Sequence, residues 1–310
     1  MHKVISASDL KKIFKLKDKT ITAVNGISFQ IKQGELVGFI GKNGAGKTTT
    51  LKCLSGLLTP DSGEVQVLGN TPSERKYDFL QRISMVMGNR SQLWWELPAI
   101  DTFLLNKEIY QIEDSRYEQV LNEMVERLDV KHLLDTPVMK LSLGERMKCE
   151  LIASLLHTPE LVFLDEPTLG LDVISQKSLR DFLSDYHKKY NATIILTSHN
   201  MEDIKKLCNR VIIINEGNIL YDGATSELTT KFVKKKNIHF LLSKKVPKQE
   251  IMKYGEIVEF DGKEGIISVN IGNTKAVAKR LLEDLDIEDI DISEMTLEDI
   301  VRDIFSKKSV

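Results

Sequence analysis

The sequence predicts an α/β protein with a parallel-sheet core, an N-terminal antiparallel β part and a helical insert, followed by a small α+β domain. Three observations carry this expectation. Short apolar strands alternate with helical segments from ELVFLDEP to RVIIIN, a glycine-rich loop (GKNGAGKT) lies between an apolar strand and a helix, and past Gly223 the texture changes to short strands and helices. Strands alternating with helices argue for a parallel sheet covered on both faces. In such sheets ligands sit at the strand C-termini.

At the N-terminus, ISASDLKKIFKL and TAVNGISFQIKQGELVGFIG mix short β-type runs with turn signals and end in the buried-type strand ELVGFIG. A helix is expected from Lys47 through TTTLKCLSGLL to about Leu58. From about Tyr77 to Leu156 the pattern is mostly helical, because DTFLLNKEIYQ, RYEQVLNEMVERLDV and GERMKCELIASLLH place apolar residues three and four apart. The strand ELVFLDEP follows, then the helix around SQKSLRDFLSDYHKKY, the strand TIILTSHN, the helix MEDIKKLC and the strand RVIIIN.

The C-terminal texture reads as NIHFLL (strand), VPKQEIMKYG (helix), EIVEFDG and GIISVNIG (strands joined at Asp261-Gly262), TKAVAKRLLEDL (helix) and DIEDIDIS (strand). That is the ferredoxin-like order. The expected domains are residues 1–228, with the helical insert at about 88–158, and residues 229–310. The basic run VKKK at 233–236 reads as a solvated linker.

Composition narrows the function classes. A chain of 310 residues with 28% charged residues and a formal net charge of -2 offers no bulk positive potential, so no nucleic-acid partner is expected. Cys53, Cys149 and Cys208 lack CxxC spacing, which signals neither a zinc site nor a disulfide framework, and they read as reduced core residues. The start MHKVISASDLKK lacks the apolar run of a signal peptide, and the apolar stretches elsewhere are strand-length. Contact with a membrane is therefore expected only through a partner.

The strongest motif is GKNGAGKT, Gly41 to Thr48, which fits G-x-x-x-x-G-K-[ST] between a predicted strand and a predicted helix. Its glycines let backbone N–H groups turn onto phosphates, and the helix N-terminus adds positive potential. Gly41, Asn43, Gly44, Ala45, Gly46, Lys47, Thr48 and Thr49 form the expected phosphate cradle. Lys47 supplies a point charge to the β- and γ-phosphates and Thr48 a hydroxyl to Mg²⁺. In LVFLDEP an apolar strand delivers Asp165 to its end, where it can hold Mg²⁺, and Glu166 can act there as general base toward a water. ATP and Mg²⁺ are the expected ligands of a P-loop NTPase.

With LSLGERMKC, TLGLD and LTSHN, these motifs resemble the ATP-binding-cassette (ABC) ATPases over roughly residues 3 to 225. That family's signature is usually written LSGGQ. Leu141, Ser142 and Gly144 match it, while Leu143 and Glu145 replace a glycine and a glutamine. The resemblance implies that two chains sandwich two ATP molecules, with Ser142, Gly144 and Glu145 of one chain facing the γ-phosphate in the other. By the same resemblance His199 would contact the γ-phosphate and the attacking water, Asp172 would report the neighbouring subunit's state, and Phe14 would stack on adenine. Asp172 also reads as an ordinary helix N-cap, and Phe14 as a core residue.

After RISMVM the family places a glutamine that touches Mg²⁺, but this chain has GNRSQLWWELP. Asn89 is nearest by ungapped counting and Gln92 is the nearest glutamine, so the metal contact is expected from one or the other. Trp94 and Trp95 read equally as a surface for a membrane-subunit helix or as core of the insert. The diverged signature and the C-terminal extension look most like the subunits of two-component, ABC-2-type exporters of drugs or lipids. Integral-membrane permease subunits and a second copy of the chain, or a paralogue, are the expected partners, on the cytoplasmic face of the membrane. An importer ATPase or a soluble ABC ATPase is the competing reading, although the single motif set without sustained heptads argues against the soluble class. Intact Lys47, Asp165, Glu166 and His199 argue against a binding module that has lost catalysis.

Overall fold

A computed structural model describes residues 2–17, 19–88, 90–232, 235–295 and 297–306. The chain divides into two compact units, residues 1–224 and 225–310.

The first unit runs β1 (Lys3–Lys15), β2 (Thr20–Lys32), β3 (Leu36–Ile40), α1 (Lys47–Leu54), β4 (Ser62–Val67), α2 (Tyr77–Leu80), β5 (Ile83–Met87) and α3 (Ala99–Ile109). It continues through α4 (Asp114–Leu128), α5 (Leu143–Leu155), β6 (Leu161–Asp165), α6 (Val173–Tyr190), β7 (Thr193–Thr197), α7 (Met201–Leu207), β8 (Arg210–Asn215) and β9 (Asn218–Ala224). Six strands form one sheet in the order β5-β6-β7-β3-β8-β9, parallel except for the β8–β9 hairpin. β3, β6 and β7 are buried along their whole length, as the continuous apolar runs LVGFI, LVFLD and TIILT require of strands covered on both faces.

β1, β2 and β4 form a separate antiparallel sheet in the order β2-β1-β4. β1 and β2 are unbroken strands of 13 residues rather than short runs, because bulges between Ala7 and Leu10 absorb the turn-like SD pair without ending the ladder. Phe39 and Phe163 of the parallel sheet share one core with Leu10 and Val24 of the antiparallel sheet. Helix α1 ends at Leu54, short of Leu58, because the N–H groups of Leu57 and Leu58 both turn back to the Lys52 carbonyl at 2.9 and 3.0 Å.

The second unit comprises α8 (Thr225–Phe232), β10 (Lys235–Leu242), α9 (Lys248–Ile251), β11 (Glu256–Phe260), β12 (Glu264–Asn270), α10 (Thr274–Asp284), β13 (Ile287–Glu294) and α11 (Leu297–Ser306). Its antiparallel sheet has the order β11-β12-β10-β13, with Ile238, Phe240, Ile267 and Leu281 in the core. The predicted β-α-β-β-α-β order is present, with α8 and α11 added at its two ends. In α11 the spacing of Leu297, Ile300, Val301 and Ile304 buries one helical stripe. Val233 and Lys234 of the basic run lie outside the described residues. Lys235 and Lys236 belong to β10 rather than to a linker, and Lys235 pairs with Glu256.

No helix among the described residues is long and apolar enough to cross a membrane. Cys53, Cys149 and Cys208 are all buried. Burial pushes each thiol up, to about 11 for Cys53 and about 12 for Cys149, so these are inert core sulfurs.

One half-buried base sets a pH dependence. His157 stacks on Tyr110 with ring centroids 3.7 Å apart, its Nε2 lies 3.1 Å from the Ile83 carbonyl, and burial pulls its pKa down from 6.5 to about 4. The unfolded chain binds this proton more tightly than the folded one. Stability is therefore complete above the unfolded value of 6.5 and is lost as pH falls from there toward 4. Between about pH 7 and about pH 5 the native chain is expected to lose about 2 kcal/mol more than a His157→Gln variant. Urea unfolding at the two pH values checks this, and equal losses would refute it.

Candidate functional site

The strand ends of the parallel sheet carry the site. β3 leads into the loop 41–48 and α1 starts at Lys47, so the loop's N–H groups and the helix N-terminus point to one place. Gly46 has φ +106°, and a Cβ there would stand 2.3 Å from the Ala23 carbonyl, which restricts the position to glycine. Asn43 and Gly44 are exposed at the apex, Gly41 and Ala45 are buried beneath, and Thr49 is half-buried on the helix. The Lys47 ammonium is buried and donates to the carbonyls of Gly41 at 2.6 Å and Lys42 at 3.3 Å. Burial lowers its pKa, against which the charges of Glu166 and Asp165 act.

Thr48 Oγ1 donates to both carboxylate oxygens of Asp165, at 3.0 and 2.8 Å. Thr197 Oγ1 donates to Asp165 Oδ1 at 2.7 Å, so β7 orients the acid that β6 delivers. A hydroxyl and a carboxylate held together beside a basic loop are the hard oxygen donors that Mg²⁺ takes alongside phosphate. Glu166 has φ +56°, a left-handed conformation costing on the order of 1–3 kcal/mol for a residue with a side chain. Two bonds hold it there: its N–H reaches the Thr197 carbonyl at 3.1 Å and Thr197 Oγ1 at 3.0 Å. Its carboxylate meets His199 twice, Oε1 to the ring Nε2 at 3.1 Å and Oε2 to the backbone N–H at 3.2 Å. Burial raises the Glu166 pKa, while His199 and then Lys47 oppose the shift. A more basic carboxylate is better suited to take a proton from water.

The signature forms a different part of the surface. Ser142 is the N-cap of α5, and with Glu145 it forms a reciprocal capping box. Glu145 Oε2 accepts from Ser142 N–H and Oγ, each at 2.8 Å, and the Ser142 backbone bond is the larger cause of the lowered Glu145 pKa. The glutamate that replaces the family glutamine therefore serves its own helix. A Cβ on Gly144 would lie 2.6 Å from Ser175 Oγ, so this glycine lets α5 approach the start of α6. Asp172 is the N-cap of α6: Oδ1 accepts from the N–H groups of Ile174 and Ser175, both at 3.0 Å, and Oδ2 from Ser175 Oγ at 2.6 Å. None of these contacts reaches Lys47 or Thr48.

Phe14 on β1 is partly exposed, with the Lys12 ammonium 5.7 Å from its ring centroid. It faces Ile21 of β2, two residues from the Ala23 carbonyl that lies against Gly46, so the neighbouring strand borders the phosphate loop. Asn89 lies outside the described residues. The Gln92 amide is bonded elsewhere than to Thr48 or Asp165: it donates to the Met85 carbonyl on β5 at 2.9 Å and to Ser154 Oγ on α5 at 3.1 Å. Trp94 and Trp95 are 58% and 49% exposed, so neither fills the insert's core.

Sequence reasoning missed several residues. Thr197 orients Asp165 and Glu166 together. Asp203 is fully buried, pairs with Arg180 at 2.7 Å, and accepts from Thr168 Oγ1 at 2.6 Å and Ser198 Oγ at 2.9 Å. It thereby ties the segment after Glu166 to the one before His199. Nothing in its helical context MEDIKKL distinguishes it from a solvated acid.

Comparison with known proteins agrees with this geometry. Residues 24–169 match the family described as ABC transporter, and residues 234–293 match the EvrA-like ABC transporter C-terminal domain. The chain is 32% identical to the bacitracin transport ATP-binding protein BcrA of Bacillus licheniformis over 96% of each chain. It is also 32% identical to the ABC transporter ATP-binding protein NatA of Bacillus subtilis, over 73% of this chain and 91% of that one. Among solved structures, the dimeric post-hydrolysis ATP-binding cassette MJ0796 with ADP and Pi superposes with a TM-score of 0.64 at 20% identity, covering 71% of this chain and 98% of that one.

Proposed function

Because the chain belongs to the ATP-binding, ATP-hydrolysing subunits of ABC transporters, we propose that it drives an ABC-2-type exporter by ATP-dependent closure of two cassettes. The observation that carries the site assignment is the Glu166 carboxylate, held by His199 beside the Thr48–Asp165 pair and the buried Lys47. Lys47 and the backbone of Gly41 to Thr49, Asn43 and Ala45 included, bind the triphosphate, and Phe14 offers a ring face to the base. Thr48 and Asp165 hold Mg²⁺, and with Gln92 committed elsewhere Asn89 is the remaining candidate for a further contact. The metal, when bound, neutralises charge on the phosphates. Glu166 orients the attacking water and takes its proton, while His199 holds the carboxylate in place.

A second cassette completes the site. Ser142 and Gly144 lie apart from their own chain's phosphate loop, and Glu145 supports them as a cap. Val173 and Ile174, 76% and 82% exposed, adjoin Asp172 and form an apolar patch suited to a partner surface. The permease subunits, bound at the cytoplasmic face of the membrane, find the exposed Trp94 and Trp95 as anchors. The transport role is supported by similarity along nearly the whole chain to a bacitracin transport ATP-binding protein.

Size-exclusion chromatography of Glu166→Gln tests the closure. Mg·ATP is expected to shift the chain from monomer to dimer, and adding Gly144→Asp is expected to abolish the shift. A monomer at saturating ATP would count against the two-cassette site.

A further inference from the structure

The loop carrying Trp94 and Trp95 is fastened to the signature helix by a buried carboxylate that the nucleotide site does not use. Glu150 on α5 is 3% exposed. It accepts from Ser91 Oγ and from the Gln92 N–H, the latter at 2.9 Å to Oε1 and 3.1 Å to Oε2. One turn further along α5, Ser154 Oγ takes the Gln92 amide. Arg146, on the same helix, stands 5.7 Å from the Trp95 ring centroid. The segment leading into Ser142 holds the loop as well, because Met139 N–H donates to the Trp95 carbonyl at 2.9 Å and Val138 N–H to the Leu97 carbonyl at 3.0 Å. At the other end, Gly88 N–H donates to the Asp165 carbonyl at 2.8 Å.

A carboxylate this deeply buried persists only where donors converge on it. Burial raises the Glu150 pKa, and the bonds from Ser91 and Gln92 act in the opposite direction. The side chain thus gathers Ser91 and Gln92 onto one point of α5, and Leu93 N–H donates to the same Ser91 Oγ at 3.1 Å. Gln92, the nearest glutamine, is spent on this same attachment.

We infer that Glu150 is a positioning residue that locks the Trp94–Trp95 loop to the signature helix, so that the loop and the signature move as one body when ATP binds. This deepens the proposed function and rests on it: a partner pressing on the two tryptophans acts through Glu150 on Ser142 and Gly144, while the backbone bond from Gly88 leads to the catalytic strand.

The two tryptophans are the only ones in the chain, so intrinsic fluorescence reads the loop directly. The full-length chain, with Glu166→Gln to stop turnover, is titrated with Mg·ATP while emission and iodide quenching are followed, and ATP affinity is measured separately by calorimetry. ATP is expected to change the tryptophan signal. Glu150→Met, which keeps the bulk and removes both acceptors, is expected to lose that change at unaltered ATP affinity. Glu150→Gln keeps one acceptor oxygen and is expected to restore it. An ATP-induced change that survives in Glu150→Met, or none in the chain with native Glu150, overturns the inference. Should Glu150→Met fail to fold, Ser91→Ala must reduce the amplitude, and full amplitude there overturns it equally. Failure of the chain with native Glu150 to bind ATP at all would sink the parent reading and this inference with it.

Discussion

Replacing Glu166 by glutamine is expected to slow ATP hydrolysis about 10²- to 10⁴-fold while leaving ATP affinity close to native. That loss corresponds to roughly 3 to 5 kcal/mol of transition-state stabilisation. Glutamine keeps the shape and can still accept from the His199 N–H, so the loop geometry survives. What disappears is the proton acceptor that burial has made more basic than an ordinary glutamate. The same shift gives the native enzyme an acidic limb: activity falls as pH drops through the raised Glu166 value, because only the ionised carboxylate takes a proton. Steady-state phosphate release across pH, alongside calorimetric ATP binding, checks both parts. Normal turnover in the variant would remove Glu166 from its role.

Lys47→Ala should act on the other quantity. Its ammonium is buried against the Gly41 carbonyl, and in the proposed site its charge is the one that meets the phosphates. A hydrogen bond to a charged group contributes about 1.5–3 kcal/mol, so ATP affinity is expected to fall about 10- to 100-fold. The fold should be little affected, since burial already disfavours the ammonium, as its lowered pKa records. Calorimetry measures the affinity, and a thermal melt separates loss of binding from loss of structure. Unchanged affinity would contradict the phosphate-loop assignment.

These two residues were legible from the sequence because their signals are local. GKNGAGKT and LVFLDEP each compress a strand end, a turn and the chemical group into eight or fewer residues, and the backbone of such a unit has few alternatives. The C-terminal β-α-β-β-α-β order was readable for a similar reason, through period-2 runs broken by turn residues. Helix α11 carried a readable stripe at Leu297, Ile300, Val301 and Ile304 that went unused. Gln92 shows the limit: as the nearest glutamine it is one of two candidates for the metal contact, yet its amide bonds to Ser154, 62 positions away.

The sequence by itself determined the phosphate loop, the acidic strand end, the signature and the alternation of strands and helices, because each is encoded by neighbours along the chain. Only the tertiary structure decided that Glu145 caps its own helix, that Asp172 is an N-cap bonded to Ser175, that Thr197 orients Asp165 and Glu166, and that Asp203 and Glu150 are buried anchors. The physical reason is the same for the long-range members of this set. A lone acid or hydroxyl has the same local pattern whether it ends in water or in a buried hydrogen-bond network, and the packing of distant segments supplies the donors that decide between the two.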